Sequence, residues 1–322
     1  MKGCLTNLLR DTIVCGDTLE VLREMESESI DCCITSPPYW SLRDYGIDGQ
    51  LGLEPTFNEY ITNLQTIFDE VYRVLKREGT LWVDIGDTYA GTANGGSRWG
   101  TFADYRTDGG KGKRDINAYR RRPQGEVGNV KTKSLCNIPF RFAISMTDSG
   151  WIQRNTIIWH KPSCMPSSAK DRFTVDFEYV FFFTKNKKYY FEQQFEASVA
   201  ESVGSPTTRN MKETHGMGGG NTGINAAKLR AKDVGGYQNR NKRTVWRINP
   251  ACYSGAHFAV FPEKLVEPMI NACCPSDGIV IDPFSGSGTT CVVAKKLGRH
   301  HIGLDINPDY CKMSEKRIKE ML

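Results

Sequence analysis

Long apolar runs are missing from this chain of 322 residues. No stretch of about 18 or more apolar residues occurs, so no membrane-spanning helix is expected. The start of the chain has one early lysine, Lys2, but no sustained apolar segment, and we expect no signal peptide. The eleven cysteines are scattered and include no CxxC pair. This spacing argues against a zinc cluster and a disulfide framework, and for reduced thiols in a cytoplasmic protein that holds no metal.

A strong net charge is absent as well, since the formal total is only +5. The distribution of charge is uneven, however. Residues 91–134 and residues 203–244 each carry a net charge of +6, so the remainder of the chain sums to −7. Both segments lack a regular hydrophobic period. We therefore expect two basic insertions in an otherwise regular fold, the first of them a long functional loop.

Outside these segments, apolar periodicity and capping residues predict alternating strands and helices. The predicted strands cover residues 30–35, 80–85, 151–159, 177–184 with an extension at 189–191, 278–282 and 300–304. The predicted helices cover residues 57–78, 138–146, 263–273, 288–297 and 308–320. Thr56 and Glu59 are expected to cap the first of these helices, and Gly79 to stop it. Such alternation at both ends predicts an α/β fold: one doubly wound, mostly parallel sheet with helices on both faces. We expect residues 1–322 to form a single domain.

A glycine-rich turn between a strand and a helix is the strongest sign of a cofactor site. The apolar strand ends at Asp282, and Pro283, Phe284, Gly286, Gly288 and Thr289 follow it. Glycines let the backbone approach a ligand closely, and a helix N-terminus offers free N–H groups. Asp305 ends the next strand, 23 residues further on. That spacing is near the one at which an acidic residue meets ribose hydroxyls in nucleotide-binding βαβ units.

Other interpretations of this turn fit less well. A phosphate-binding P-loop needs Gly-Lys-Ser/Thr, whereas Thr289 follows Gly288, and a dinucleotide site needs a third glycine. A tight turn without a ligand explains the glycines but not the Asp282 and Asp305 pair. Acidic residues suit S-adenosylmethionine, which carries an ammonium and a sulfonium centre and no phosphate.

A second motif, Thr35-Ser36-Pro37-Pro38-Tyr39, stands at the end of a predicted strand, where open α/β sheets place ligands. The exocyclic nitrogen of cytosine or adenine is conjugated into its ring and needs two hydrogen-bond acceptors to orient its lone pair. The Ser36 hydroxyl and the Pro37 carbonyl can be those acceptors. Tyr39 offers a flat face for a base drawn out of the helix. The alternative is a rigid Pro-Pro turn with no chemistry.

Together, the TSPPY and DPFSGSGTT motifs resemble those of the amino-group DNA methyltransferases. The catalytic motif precedes the cofactor motif, as in the permuted β-class of that family, and segments such as Ile158-Trp-His-Lys-Pro162 extend the resemblance over nearly the whole chain. The resemblance implies a class I S-adenosylmethionine-dependent fold. It also implies N4 of cytosine as the target, because Ser at the position of Ser36 is typical of cytosine enzymes, whereas adenine enzymes commonly have Asp or Asn.

The same resemblance implies roles for individual residues. Asp282, Phe284, Gly286 and Gly288, with Thr35, Pro283 and Thr289 beside them, would border the methionine part of the cofactor, Asp305 would hold its ribose, Asp17 would contact its adenine, and His257 and Pro262 would close over it. Asp84, at a neighbouring strand end, is either a proton acceptor or a structural carboxylate. Asp17 could instead be a turn residue, and His257 a structural hydrogen-bonder.

DNA contacts are expected from the two basic segments, which interleave Arg and Lys with aromatic and amide side chains. The candidate residues are Arg120, Arg121 and Arg122 in the first segment and Tyr237, Gln238, Arg240, Lys242 and Arg243 in the second. By resemblance, target recognition falls in an insertion over residues 196–250, and the 91–134 loop lies near the active site. The alternative for each segment is a solvated surface loop.

The predicted function is methylation of cytosine N4 in double-stranded DNA by base flipping and direct in-line transfer, with no covalent enzyme intermediate. N6-adenine methylation is the nearest alternative, and an RNA or protein methyltransferase or an inactive DNA-binding module are more distant ones. The sequence leaves open the recognition site, a cognate restriction endonuclease as partner, and the choice between monomer and homodimer.

Overall fold

A computed structural model of the chain describes residues 5–91, 128–197, 239–250 and 262–321. The chain divides into two compact units. The larger unit comprises residues 1–192 and 244–322, and the smaller unit comprises residues 193–243. None of the helices in the described ranges combines the length and the apolar character that crossing a membrane requires.

The strands, in chain order, are β1 (Thr12–Cys15), β2 (Ile30–Thr35), β3 (Leu75–Ile85), β4 (Ile152–His160), β5 (Phe177–Thr184), β6 (Phe195–Ala197), β7 (Asn239–Asn241), β8 (Val245–Arg247), β9 (Ile279–Asp282) and β10 (His300–Asp305). Eight of them form one sheet in the larger unit, in the order β1-β10-β9-β2-β3-β5-β4-β8. Only β5 runs against the others in this sheet. The prediction of a doubly wound, mostly parallel sheet is confirmed.

The helices are α1 (Leu5–Leu8), α2 (Thr18–Glu24), α3 (Phe57–Val74), α4 (Ile138–Asp148), α5 (Glu263–Cys273), α6 (Thr289–Lys296) and α7 (Pro308–Lys319). The predicted cap of α3 is present, since Thr56 accepts a hydrogen bond from the Glu59 amide, and Asn307 caps α7 by accepting one from the Asp309 amide. Each cap satisfies an amide that the first helical turn leaves unpaired.

Helices cover both faces of the sheet. On one face, Leu22 of α2, Phe68 of α3 and Phe142 of α4 belong to one buried cluster. On the other face, α5 and α6 contribute Leu265 and Val293 to a second cluster. Burial of both faces explains why the central strands are almost continuously apolar. Of the nine cysteines in the described ranges, all are free and seven are buried, as expected for thiols that pack like small apolar side chains.

The order of strands reverses between β9 and β2. From β2 the chain passes through α3 to β3 on one side, and from β9 it passes through α6 to β10 on the other. Strands β2 and β9 are parallel neighbours, with Cys32 opposite Val280. In open α/β sheets, ligands bind at such a switch point, beyond the carboxyl ends of the strands.

Two predicted boundaries are wrong. The helix that was expected to stop at Gly79 ends at Val74, and β3 begins at Leu75, which pairs with Ile30. The register then shifts, so that residues 76–79 bulge out of the pairing before Thr80 meets Cys32. A Cβ at Gly79 would lie 2.9 Å from the Lys76 carbonyl oxygen, so this glycine permits a bulge in a strand and does not end a helix.

The expected strand at residues 189–191 is also absent from the described structure. Tyr189 and Phe191 instead place their rings against Phe182, with centroids 5.8 and 6.1 Å away. The aromatic pattern that resembled a strand therefore reflects packing of the two rings on the sheet rather than pairing within it.

The smaller unit contains a two-stranded antiparallel sheet of β6 and β7 among its described residues. Glu196 stands opposite Arg240 in this sheet. Strand β8 follows the smaller unit in sequence but belongs to the large sheet, where it pairs with β4.

Candidate active site

Two strand ends that are 247 positions apart in the sequence lie side by side at the carboxyl edge of the large sheet. The hydroxyl of Thr35, the last residue of β2, donates a hydrogen bond of 2.6 Å to Oδ1 of Asp282, the last residue of β9. Both side chains are buried. The Thr18 hydroxyl donates to the Pro283 carbonyl at 2.7 Å, which ties α2 to the same place. The structure thus brings the two predicted motifs together.

Residues Ser36 to Tyr39 leave β2 along a path that their neighbours determine. The Tyr60 hydroxyl on α3 donates to the Pro38 carbonyl at 2.8 Å. The Tyr39 ring lies against Gly86, where an added Cβ would come within 2.5 Å of Cε2. The Ser36 hydroxyl and the Pro37 carbonyl remain the acceptors that the sequence predicts, and the Pro38 carbonyl already accepts one hydrogen bond from Tyr60. Ser36 is half-buried and hydrogen-bonds the Tyr39 side chain.

The glycine turn after β9 depends on two left-handed residues, Gly286 with φ 51° and Gly288 with φ 77°. A Cβ at Gly288 would lie 2.8 Å from the Cβ of Ser314 on α7, and the Ser314 hydroxyl donates to the Gly286 carbonyl. At Gly288 the close approach that requires glycine is therefore made by α7. Arg317 of the same helix donates to the Ser287 carbonyl at 2.6 Å and to the Thr289 hydroxyl at 3.2 Å.

Asp305, at the end of β10, holds this turn from the other side. Its Oδ2 accepts from the Gly286 amide and its Oδ1 from the Asn307 amide, both at 2.8 Å. Asp17 lies one strand further along the edge and caps α2 by accepting from the Glu20 amide at 3.0 Å. The predicted alternative for Asp17, a turn residue, is therefore one of its roles.

Burial dominates the electrostatics of the two carboxyls. Loss of solvent raises the pKa of Asp282 to about 6, and hydrogen bonds from Thr35 and the Phe284 amide to Oδ1 oppose that rise. Burial also raises the pKa of Asp305. Oδ2 of Asp282 is buried and accepts no hydrogen bond from the described residues. A buried, unpaired carboxylate oxygen calls for a cationic or hydrogen-donating ligand, and S-adenosylmethionine fits because it has cationic centres and no phosphate.

Asp84 stands at the end of β3, 5% exposed, with an unpaired Oδ1 in the described structure. Two neighbours that the sequence did not single out face it. Glu178, on antiparallel β5, accepts from the Tyr39 hydroxyl at 3.1 Å, and Lys161 pairs with Glu178 at 2.6 Å. Lys161 lies in the Ile158-Trp-His-Lys-Pro162 segment, which was a usable signal. No sequence signal marked Glu178, because its position at the carboxyl edge of the sheet depends on the direction of β5.

Some predicted site residues have structural contacts, and others lie outside the described ranges. Pro262 is buried at the N-cap position of α5, and Phe284 is partly buried against the core, so their contact with a cofactor stays a prediction. His257 lies outside the described residues, as do Arg120, Arg121, Arg122, Tyr237 and Gln238. No cluster of three or more His, Cys, Asp or Glu side chains suited to a metal ion occurs in the part of the chain that the structure describes.

Three of the candidate DNA-binding residues are described, and they belong to the smaller unit. Arg240 and Arg243 both bond Oε1 of Glu196, at 2.9 and 2.6 Å. The Lys242 amide donates to the Gln194 carbonyl at 2.9 Å. The two arginines thus have a structural role in addition to any contact with a partner, and Arg243 remains 63% exposed.

Hydrogen-bond acceptors at the end of β2, a buried carboxyl at the end of β9 and a half-buried carboxyl at the end of β10 surround one switch point. These features define a class I S-adenosylmethionine-dependent methyltransferase. The model of the N6/N4 DNA methylase family matches residues 30–316, and the chain belongs to that family.

Relatives and solved structures agree with this membership. The chain is 38% identical to the Type II methyltransferase M.SmaI of Serratia marcescens over 98% of its own length and 94% of that enzyme. It is 39% identical to M.Cfr9I of Citrobacter freundii over 96% of its length and 87% of that enzyme. Its fold is similar to that of the cytosine-N4-specific PvuII DNA methyltransferase, with a TM-score of 0.59, 22% identity, and coverage of 95% of this chain and 85% of that one. A Thermus thermophilus protein solved with S-adenosyl-L-methionine gives a TM-score of 0.54 at 20% identity, with 96% and 95% covered.

Proposed function

We propose that this DNA methyltransferase transfers the methyl group of S-adenosylmethionine to N4 of cytosine in double-stranded DNA, by flipping the base and by direct in-line transfer. The observation that carries the proposal is the hydrogen bond from Thr35 to Asp282, since Thr35 directly precedes the Ser-Pro-Pro-Tyr segment and Asp282 begins the predicted cofactor motif. Ser36 in the first position of that tetrapeptide favours cytosine over adenine, by the resemblance described above.

Each acceptor has a distinct task in the proposed reaction. S-adenosylmethionine, when bound, supplies an electrophilic methyl group, so positioning accounts for much of the acceleration. The Ser36 hydroxyl and the Pro37 carbonyl hold the two amino hydrogens and direct the nitrogen lone pair. The Tyr39 ring, backed by Gly86, stacks on the flipped base. After methyl transfer the amino nitrogen is positively charged and loses one proton, which Asp84 or water accepts.

The cofactor would be held by residues at or after the ends of four neighbouring strands, β1, β10, β9 and β2. Asp282, with its unpaired Oδ2, would accept from the ammonium group, and Asp305 would accept from the ribose hydroxyls. Asp17 would meet the adenine amino group with the oxygen that does not cap α2. Thr35, Pro283, Phe284, Gly286, Gly288 and Thr289 would line the methionine part, and His257 and Pro262 would close over it.

For the protein as a whole we propose one methyltransferase domain with a target-recognition insertion over residues 196–250 and a basic loop over residues 91–134 near the active site. The separate compact unit at residues 193–243 supports an insertion there. Several relatives are named Type II methyltransferases, which supports a place in a restriction-modification system and recognition of a short, specific site.

A nucleoside analysis tests the target. The protein is incubated with unmethylated plasmid and methyl-labelled S-adenosylmethionine, and the DNA is hydrolysed and chromatographed. We expect the label in N4-methylcytosine. Label in N6-methyladenine would overturn the choice of base, and label confined to RNA or protein would overturn DNA as the substrate. Sequencing of the modified positions then gives the recognition site.

A further inference from the structure

Three charged side chains from separate segments meet at the carboxyl edge of the sheet, next to Tyr39. Glu178 uses both of its oxygens there: Oε2 accepts from the Tyr39 hydroxyl at 3.1 Å, and Oε1 lies 2.6 Å from Lys161 Nζ. The side chains of Lys161 and Glu178 are only 18% and 22% exposed. The Lys161 ammonium also lies 4.1 Å from the centroid of the Trp159 ring. Ion pairs screened this well from solvent hold a defined geometry more firmly than surface pairs do.

Sheet register places Asp84 on the same face as this ion pair. Asp84 pairs with Val180 across β3 and β5, and Glu178 is two residues from Val180 on the same strand. Side chains two positions apart on a strand, and directly opposed residues on neighbouring strands, share a face. Glu178 is thus the diagonal neighbour of Asp84, and the Tyr39 hydroxyl, which donates its proton to Glu178, also interacts with the Asp84 carboxyl.

If Asp84, Glu178 and Lys161 were all ionised, the single ammonium would balance only one of the two carboxylates. Among the described residues, the titratable groups that face Asp84 are Glu178 from β5, Lys161 after the end of β4 and Tyr39 from the segment after β2. Burial raises the pKa of Asp84 well above its usual range, the charge of Glu178 raises it further, and Lys161 and the Tyr39 hydrogen bond lower it. A base is most effective when its pKa lies near the working pH.

We propose that Glu178, anchored by Lys161, is a positioning residue for methyl transfer: it fixes the Tyr39 ring beside the target base and makes Asp84 the proton acceptor. The inference rests on the proposed function. In the reaction the amino nitrogen forms its bond to the methyl carbon, the carbon–sulfur bond breaks with its electron pair remaining on sulfur, and one N–H proton passes to the Asp84 carboxylate through the Ser36 hydroxyl or a water molecule.

Single-turnover methyl transfer, measured against pH on duplex DNA, tests this arrangement with three variants. Glu178→Gln removes the charge, so we expect the acidic limb of the rate profile to move to lower pH and the maximal rate to fall about tenfold. Lys161→Met removes the opposing charge, so the limb is expected to move to higher pH. Glu178→Asp keeps the charge but shortens the reach to Tyr39, so the rate is expected to fall while the limb stays in place.

Asp176→Asn is the matched control, since Asp176 is a half-exposed carboxylate at the same edge whose own contact is with His160 at 3.4 Å. It is expected to leave the rate and the limb unchanged. Opposite movements of the limb in the first two variants, with cofactor affinity within about twofold of wild type, support the proposal, because loss of fold alone would not move the limb in two directions. An unmoved limb in Glu178→Gln overturns it. Wild-type protein that transfers no methyl group to DNA would overturn the proposed function instead.

Discussion

Ser36 follows directly after β2, half-buried, with its side chain hydrogen-bonded to Tyr39. Its removal deprives the target amino group of one acceptor and leaves the carboxyls at the ends of β9 and β10 in place. We expect Ser36→Ala to lower the single-turnover rate about 100-fold, the usual scale for losing one oriented hydrogen bond to a reacting centre. The dissociation constant of S-adenosylmethionine, measured by calorimetry, should stay within about twofold of the wild-type value.

Thr62→Ala is the control for this prediction, because the Thr62 hydroxyl is exposed on α3 and bonds only within its own helix, to the Asn58 carbonyl. A wild-type rate in Ser36→Ala would show that the tetrapeptide is a structural turn and that the catalytic assignment is wrong.

The Asp282 carboxylate is expected to favour binding of S-adenosylmethionine but to lower the free energy of unfolding. Burial raises its pKa to about 6, whereas an unfolded aspartate titrates near pH ~4. Because the folded state holds this proton more tightly, the free energy of unfolding falls as the pH rises from about 4 to about 6, by an amount on the order of 3 kcal/mol. Asp282→Asn removes the ionisation and keeps an oxygen for Thr35 and the Phe284 amide.

We therefore expect Asp282→Asn, without cofactor, to be more stable than wild type to urea at pH 8 and about equal to it at pH 4. The same variant should bind S-adenosylmethionine poorly. If its advantage at pH 8 were absent, or were equally large at pH 4, the carboxyl would not be the source of the pH dependence.

At the scale of single elements, the turn between β9 and α6 is rigid because α7 packs against it. Gly288 and Gly298 both have left-handed backbones, with φ of 77° and 70°. An added Cβ at Gly288 meets Ser314 at 2.8 Å, whereas one at Gly298 meets nothing within 4 Å. Alanine should cost about 1–2 kcal/mol of backbone strain at either site. Gly288→Ala should cost a further ~1–3 kcal/mol from the clash.

Urea unfolding of the two variants measures this difference directly, with Gly298→Ala as the matched control for strain. Equal losses would mean that α7 yields to the added methyl group and that the turn is less constrained than its contacts imply.

Local signals in the sequence were sufficient for most elements. The proline pair after Thr35 ends β2, and the Thr56 and Glu59 cap starts α3 at the predicted residue. The end of α3 was not predictable in the same way. Gly79 resembles a helix stop, but its backbone approaches the carbonyl oxygens of Lys76 and Asp31, a crowding that arises only once β3 lies beside β2.

Residues of the candidate site also differ in whether a local sequence signal marks them. Ser36 and Asp282 were predicted because each belongs to a motif that is contiguous in the sequence, and Asp305 because it ends the next strand at a characteristic spacing from Asp282. Glu178 was missed because its position depends on tertiary structure: β5 is antiparallel, so the beginning of this strand, not its end, lies at the active edge. Periodicity reports that a strand is buried but carries no information about its direction.

At the scale of the whole molecule, the cofactor should stabilise the fold, because its proposed site uses strand ends from distant parts of the chain. A ligand that binds only the folded state adds about 2.7 kcal/mol at a concentration one hundred times its dissociation constant. We expect S-adenosylmethionine to raise the urea midpoint of the wild type accordingly. Asp305→Ala should lose most of this gain because its affinity is lower, whereas Asp309→Ala, an exposed neighbour, should keep it. An equal gain in both variants would contradict the role of Asp305.

The pairing of β2 with β9 also determines the stage of protein synthesis at which the proposed active site can form. On a ribosome that adds about 5–20 residues per second, β2 emerges on the order of ten to fifty seconds before β9. Throughout that interval one edge of β2 has no strand to pair with, which makes the nascent chain a natural client for chaperones. The proposed site cannot form before β9 has been translated, so we expect DNA methylation to begin only when at least the first 282 of the 322 residues have been made.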